Sequence, residues 1–395
     1  MTEAGKTISS GNAALLASIF LPLYAIYCME QVYFVYGNVL RDYGFPPQDI
    51  GWLLGSYFVT IMLSRPVASW MLENLGTSRT MAVASAAGFI GCSMLLVFRG
   101  LYPLLAGRIL SGVSFGVFTT GIFSYQASAV TEKMRGASFA ITVSGGMLPM
   151  ATVTPLGEWL LINSHERIYL TIGPAACVIC YFLGKRLGAR KIASGEQPEA
   201  WGGYRDLISF RPYLALVITA TIVSLVDAAT VSMSLLASER QLVASYFLAS
   251  SSVAAVIFRL CCAGVLNRLP RSACLAPCGI LMGCSLLAIA MAPSNTSFLI
   301  FGAAFGIGIG AAFPIFLAAT SDVLPPSLRP KGTACALFLY DFGWFVTPLL
   351  VGYATPVFGI AWTFRFLALA ALLALGSLTA LYWAPSYLKG RRVGA

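Results

Sequence analysis

Twelve apolar runs, each about as long as the twenty or so residues that one helical crossing of a bilayer core requires, follow one another along this chain. They fall near residues 14–36, 50–72, 80–98, 104–126, 137–159, 168–187, 213–236, 244–266, 273–292, 298–320, 333–354 and 362–383. A chain in hydrocarbon must satisfy its own backbone N–H and C=O groups, which leaves helices or closed barrels, and runs of this length are helical. Composition decides one further point. Of the 395 residues 58% are hydrophobic and only 10% charged, with mean hydropathy +0.81, whereas soluble chains carry about a quarter charged residues. The expected fold class is all-α: a polytopic membrane protein of 12 transmembrane helices. Turn chemistry separates the runs at Gly44-Phe45-Pro46-Pro47, Gly76-Thr77-Ser78, Arg99-Gly100, Pro293-Ser294-Asn295 and Pro325-Pro326. The opening run is full length, follows a polar start and lacks a small-residue cleavage site, so it reads as a span and not a signal peptide.

Cationic loops give the orientation. With a cytoplasmic N-terminus, 17 of the 25 Lys and Arg lie in loops on that side. Five (Arg41, Arg99, Arg167, Arg240, Arg365) lie on the other, and three (Arg65, Arg108, Arg259) lie within spans. Lys and Arg stay on the cytoplasmic face, so both termini are expected in the cytoplasm and the protein in the inner (plasma) membrane. These two faces are called the basic end and the sparse end below. The net charge of +10 suits loops against anionic lipid and not a nucleic-acid surface. Ten cysteines sit almost entirely inside apolar runs as packing residues. Cys177 and Cys180 form a C-x-x-C and Cys274 and Cys278 stand one turn apart, but the chain has a single histidine, His165, and no metal or cofactor is expected.

One long polar connection, Gly188 to Pro212, divides the chain into an expected N-terminal six-helix bundle (1–187), a cytoplasmic linker (188–212) and a C-terminal six-helix bundle (213–395). The two bundles are expected to be pseudo-symmetric. A shift of 194 brings Arg65 onto Arg259, Gly112 onto Gly306, Gly116 onto Gly310 and Arg135 onto Arg329, and a shift of 193 brings Val153-Thr154-Pro155-Leu156 onto Val346-Thr347-Pro348-Leu349. Repeated halves around a midplane site are a common build of secondary transporters.

On these residues the chain resembles the major facilitator superfamily over essentially its whole length. The helix-4 pattern R-x-x-x-G-x-x-x-G appears as Arg108, Gly112 and Gly116. The loop motif after helix 2 is degenerate, with Ser69, Glu73, Asn74, Gly76, Thr77, Ser78 and then Arg79. Arg65-Pro66 and this loop look like the exporter-rich branches that carry drugs, sugars, metabolites or siderophores. The helix-5 antiporter pattern survives only as Thr154-Pro155-Leu156-Gly157, with Thr347-Pro348 and Gly352 in helix 11. The resemblance implies a cavity lined by helices 1, 4, 7 and 10.

Ionisable groups inside hydrocarbon cost about 2.5 to 3.5 kcal/mol on insertion scales and mark function. Four stand out: Glu30, Arg108, Asp227 and Asp341. Opposed helix directions put Glu30 and Arg108 at one depth, which leads us to expect an ion pair between them, or an exchange of Glu30 for an anionic solute group. The expected cavity wall includes Tyr27, Tyr33, Phe34, Ser111, Phe115, Thr119 and Gln126, with Ser224 and Thr230 from a helix-7 stripe of Thr221, Ser224, Asp227, Thr230 and Ser234. Asp227, Asp341 and Glu30 are the expected proton carriers, none with an arginine assigned inside its own half except Glu30. Arg65, Glu73, Arg79, Arg135, Arg259, Asp322 and Arg329 are the expected gate at the basic end, with lipid phosphates as the competing partners of Arg65 and Arg259. Gly302, Gly306, Gly308 and Gly310 allow close helix packing.

The function expected is secondary active transport of a small organic solute by alternating access, as proton-coupled export. The alternative is a proton symporter or facilitator for uptake of a sugar or organic anion, and a membrane-embedded transferase ranks below both. No catalytic cluster and no nucleotide-binding loop are present in the sequence. Partners expected are the solute, H+ and membrane lipid, without nucleic acid, and the chain is expected to be a monomer.

Overall fold

The computed structural model describes residues 10–129, 132–188, 204–266, 271–325 and 328–385. Among them every regular element is helical: α1 (Ser10–Gln31), α2 (Tyr36–Asp42), α3 (Pro47–Val97), α4 (Leu101–Ala129), α5 (Glu132–Ile162), α6 (Glu166–Gly188), α7 (Tyr204–Ser209), α8 (Arg211–Asp227), α9 (Met233–Glu239), α10 (Ala244–Leu266), α11 (Arg271–Ile289), α12 (Asn295–Val323), α13 (Arg329–Phe358) and α14 (Ile360–Leu378). Nine of the described helices or merged helical segments are long and apolar enough to cross a membrane. One is α3, whose 51 residues would be about 76 Å long if straight, against a hydrocarbon core of about 30 Å. It turns at Gly76, where φ is +74° and ψ is 162°, a conformation that glycine adopts without a Cβ clash. The Thr80 hydroxyl donates to the Met71 carbonyl at 3.0 Å across that corner. The runs at 50–72 and 80–98 are therefore two helical segments joined by one glycine rather than a loop.

Two other helices differ from the expected continuous spans. Between α1 and α2, Val32–Val35 winds as a 3-10 turn, and between α8 and α9 Ala228–Ser232 does the same. Neither stretch contains Gly or Pro, so nothing local dictates the change of pitch. Both are fully buried. Inside the long connection, α7 folds back on the bundle: Leu207 is buried, and Tyr213 just beyond it donates to the Gly332 carbonyl at 2.7 Å.

Close packing depends on glycine. A Cβ on Gly112 would overlap the Tyr57 carbonyl oxygen, and one on Gly306 would overlap that of Ser251. A Cβ on Gly116 would meet Ile61, and one on Gly310 would meet Ala255. In both pairs the glycine and its neighbour each advance by 194 residues, so the α3–α4 contact recurs as the α10–α12 contact. The outer surface is apolar, as a lipid-facing surface is, with Leu63, Val67, Phe89, Ile90, Ile257, Leu299 and Leu373 exposed. Trp52, Tyr102, Trp159, Tyr246, Tyr353 and Trp362 are exposed at the sparse end, where aromatic rings suit the bilayer interface.

Candidate functional site

The 3-10 turns position two buried acids. Glu30 lies two residues before the first and Asp227 directly before the second. They are 8% and 7% exposed, and each lies within the electrostatic reach of an arginine, Arg108 for Glu30 and Arg259 for Asp227. Asp227 accepts a hydrogen bond from the Tyr340 hydroxyl at 3.0 Å, and that phenol is held by Phe313 and Phe316, with ring centroids 5.3 and 5.6 Å away. Glu30 has neither a hydrogen bond nor an ion pair within 4.0 Å among the described residues.

The expected Glu30–Arg108 ion pair is not formed. Arg108, 3% exposed, donates through Nε to the Leu53 carbonyl at 3.0 Å and through Nη2 to that of Leu54 at 3.5 Å. Its guanidinium also stands 4.6 Å from the Tyr57 ring and 5.7 Å from that of Tyr33. Backbone carbonyls of α3 and the faces of Tyr57 and Tyr33 take the place beside this cation that depth alone assigned to Glu30. Arg259 acts likewise, donating through Nε to the Gly310 carbonyl at 3.1 Å. In both arginines Nη1 is buried without a partner.

Asp341 has the partner that its own half of the chain lacks. Arg65 Nε donates to its Oδ2 at 2.8 Å, joining α3 to α13, with the side chains 28% and 16% exposed. This corrects the reading of Asp341 as an acid without a cation and gives Arg65, which lies within a span, a partner in the other half. Water reaches this pair more readily than it reaches Glu30 or Asp227. Of the other expected gate residues, Glu73, Arg79 and Asp322 are exposed. The side chains of Arg135 and Arg329 lie outside the described residues.

The expected wall residues divide into two groups. Tyr27 packs edge-on against Phe115 at 4.9 Å, and Phe34 and Phe58 approach Trp344 at 6.1 and 5.1 Å, so aromatic rings of both chain halves meet beside Glu30. Tyr33 and Ser111 are fully buried, Ser111 bonding the Gly107 carbonyl at 2.8 Å. Thr119, Gln126, Ser224 and Thr230 are buried and engaged in packing. Thr119 bonds the Phe115 carbonyl at 2.7 Å, and Gln126 Oε1 accepts from Thr142 at 2.9 Å. Thr230 bonds the Asp227 carbonyl at 2.8 Å. Ser224 bonds the Thr221 carbonyl at 2.8 Å and faces Gly343, where no Cβ fits.

Contacts between the two halves of the chain crowd toward the sparse end. Gly51 and Gly352 bring α3 and α13 into backbone contact, so that a Cβ on Gly51 would stand 2.7 Å from the Pro348 carbonyl oxygen. Trp52 donates to Tyr353 at 3.1 Å and Arg41 to Ser238 at 2.6 Å. Ser252 donates to the Met147 carbonyl at 2.6 Å. Glu158, which the sequence reading passed over, joins this group: its carboxylate accepts from the Ala244 and Ser245 N–H groups. Its only sequence signal is a carboxylate at the very end of an apolar run, and its partners are backbone groups that no side-chain pattern reveals. Among the described residues the two halves thus meet chiefly toward the sparse end, and the interior acids become more hydrated toward the basic end.

Comparison with known proteins agrees with this architecture. The profile of the Major Facilitator Superfamily matches residues 8–271 and 213–393. The high glucose sensor RGT2 of Saccharomyces cerevisiae is 29% identical over 105 residues, covering 26% of this chain and 13% of that protein. The major facilitator superfamily multidrug transporter mfsC of Aspergillus fumigatus is 24% identical over 186 residues, 46% of this chain and 36% of that protein. The chain therefore spans well under two thirds of these relatives' lengths. A bacterial homologue of the human lysosomal transporter Spinster, solved inward-facing and unoccupied, superposes with TM-score 0.74 at 14% identity, over 96% of this chain and 98% of its own. A point mutant of the nucleoside transporter NupG superposes with TM-score 0.77 at 14% identity, over 93% and 100%. Such low identities carry the fold alone. Family match and fold together make this chain a member of the Major Facilitator Superfamily, a multi-pass membrane protein.

Proposed function

We propose that the chain is a secondary active transporter that exports a small organic solute in exchange for protons, opening one interior site to either face in turn. Residues 1–187 and 213–395 act as the two moving bundles, and the protein works as a monomer in the inner membrane with both termini cytoplasmic. The observation that carries this reading is the pair Glu30 and Asp227. Two nearly buried carboxylates without an ion-pair partner stand beside the two 3-10 turns of the interior. Acids so placed favour a bound proton or a cationic group and release it when water enters. The Arg65–Asp341 bridge links the bundles, and its exchange for a proton on Asp341 accompanies the change of face. Aromatic rings at Tyr27, Phe34, Phe58 and Trp344 give the solute an apolar face.

The test begins with a thermal-shift screen of the purified protein against metabolites, chelators and drugs. Flux of a stabilising compound in proteoliposomes then follows under pH gradients of either sign. If the chain exports by exchange, an opposed proton gradient drives the solute, and Asp227→Asn or Glu30→Gln removes that drive while the protein stays folded. Uptake of an anion is the second reading, supported by the unpartnered Nη1 atoms of Arg108 and Arg259. Co-directional movement of solute and protons establishes it, and flux indifferent to pH removes coupling altogether.

A further inference from the structure

Glu158 lies one turn from the sparse end of α5 and is 5% exposed. Its Oε1 accepts from the Ala244 N–H at 2.8 Å, its Oε2 accepts from the Ser245 N–H at 2.6 Å, and the Ser245 hydroxyl also donates to Oε2. Those amides open α10. First-turn N–H groups have no acceptor within their own helix and carry the positive end of its dipole. A carboxylate there is an N-cap, but a cap is ordinarily supplied from nearby in sequence. The adjoining Val243 N–H is capped from within the second half of the chain, by Asn295 Oδ1 at 2.9 Å. Glu158 instead reaches across from the first half, 86 residues earlier.

This geometry ties a helix terminus of one half to a buried charge of the other. Parting α5 from α10 at the sparse end strips three hydrogen bonds from the carboxylate at once and bares two backbone donors. Charge-assisted bonds of this kind are stronger than neutral ones, and an abandoned partner bears the desolvation cost. Farther from the sparse end along the same seam, Ser252 donates to the Met147 carbonyl at 2.6 Å. At the sparse end of the opposite seam, between α3 and α13, contact rests on glycines and on the Trp52–Tyr353 hydrogen bond at 3.1 Å, and the ion pair of that seam, Arg65–Asp341, lies farther toward the basic end.

We propose that Glu158 is the latch of the sparse end: its carboxylate grips the first turn of α10 while the transport path is shut there and lets go when the path opens. It is a positioning residue that sets the balance between the two open states, and the inference rests on the alternating-access reading above.

Amide hydrogen exchange followed by mass spectrometry on the full-length protein in nanodiscs tests it, and no transported solute is needed. In Glu158→Gln, exchange is expected to rise on the order of tenfold at the first turn of α10 and also at residues 48–54 and 349–353 of the distant α3–α13 seam. Exchange at residues 333–341, near the basic end, is expected to slow, because that end closes as the other opens. Ser245→Ala removes one bond of the three and gives the same pattern at smaller amplitude; it carries the test if Glu158→Gln does not fold. A faster distant seam with an unchanged basic end keeps the latch and removes the alternating-access reading. Acceleration confined to the first turn of α10, or spread over both ends, overturns the latch, leaving a simple helix cap or a merely loosened fold.

Discussion

Arg65 and Arg259 stand 194 residues apart, in the register that also relates Gly112 to Gly306 and Gly116 to Gly310, yet they do different work. Arg65 reaches across to Asp341 of the other half at 2.8 Å and stays partly hydrated. Arg259 turns inward to the Gly310 carbonyl of its own half at 3.1 Å and is 6% exposed. The glycine seams beneath the two arginines are built alike; the charges above them are not. Equivalent backbone contacts hold each half together, and the departure from equivalence leaves one cation to bridge the halves while the other stays near Asp227.

The largest effects are expected where the likeness resides. Gly112→Ala and Gly306→Ala both force a Cβ onto a backbone carbonyl, and each is expected to cost about 3 kcal/mol or more, read as a large drop in unfolding temperature. Gly376→Ala, with open space around the new methyl, is expected to leave that temperature unchanged or raise it. A tolerated Gly306→Ala beside a damaging Gly112→Ala breaks the equivalence of the seams.

Next come the differences. A double-mutant cycle of Arg65→Ala with Asp341→Asn is expected to give a coupling of about 1–2 kcal/mol, because each loses the same partner. Arg259→Ala with Asp341→Asn is expected to be additive. Coupling in the second cycle and none in the first reverses the assignment. Tyr340→Phe removes the hydrogen bond to Asp227 and is expected to cost about 1 kcal/mol, read in the same unfolding assay.

Smallest is the cluster at the sparse-end surface, where Arg99 meets Glu166 at 3.1 Å with side chains 44% and 38% exposed. Glu166→Gln is expected to cost under about 1 kcal/mol. Tyr43 donates to the same carboxylate, and its phenol is held above the ordinary range, first by burial and then by that bond. A phenol raised by folding contributes stability below its ordinary value of about 10, lost as pH rises beyond it. Tyr43→Phe is therefore expected to flatten the decline in stability above that pH.

Spans were legible because about twenty apolar residues in a row have one outcome in a bilayer, and the glycine register because a backbone carbonyl tolerates no Cβ. Other features rested on relations that sequence does not display. The 3-10 turns at Val32–Val35 and Ala228–Ser232 carry no Gly or Pro, so tertiary packing sets their pitch. Depth placed Arg108 beside Glu30, but depth does not register that the Leu53 carbonyl accepts equally well. Asp341 lacked a cation only while its partner was sought in its own half of the chain. Glu158 binds backbone N–H groups, which every sequence presents alike.

The central claim is that one interior opens to one face at a time. Pulsed electron-spin distance measurement tests it, with labels on Tyr102 and Met291 at the sparse end, or on Asn74 and Leu381 at the basic end, after replacement of the exposed Cys261 and Cys284. Two populations are expected at each end, and conditions or variants that lengthen one distance should shorten the other. A single fixed distance at both ends, or both ends widening together, would contradict the claim.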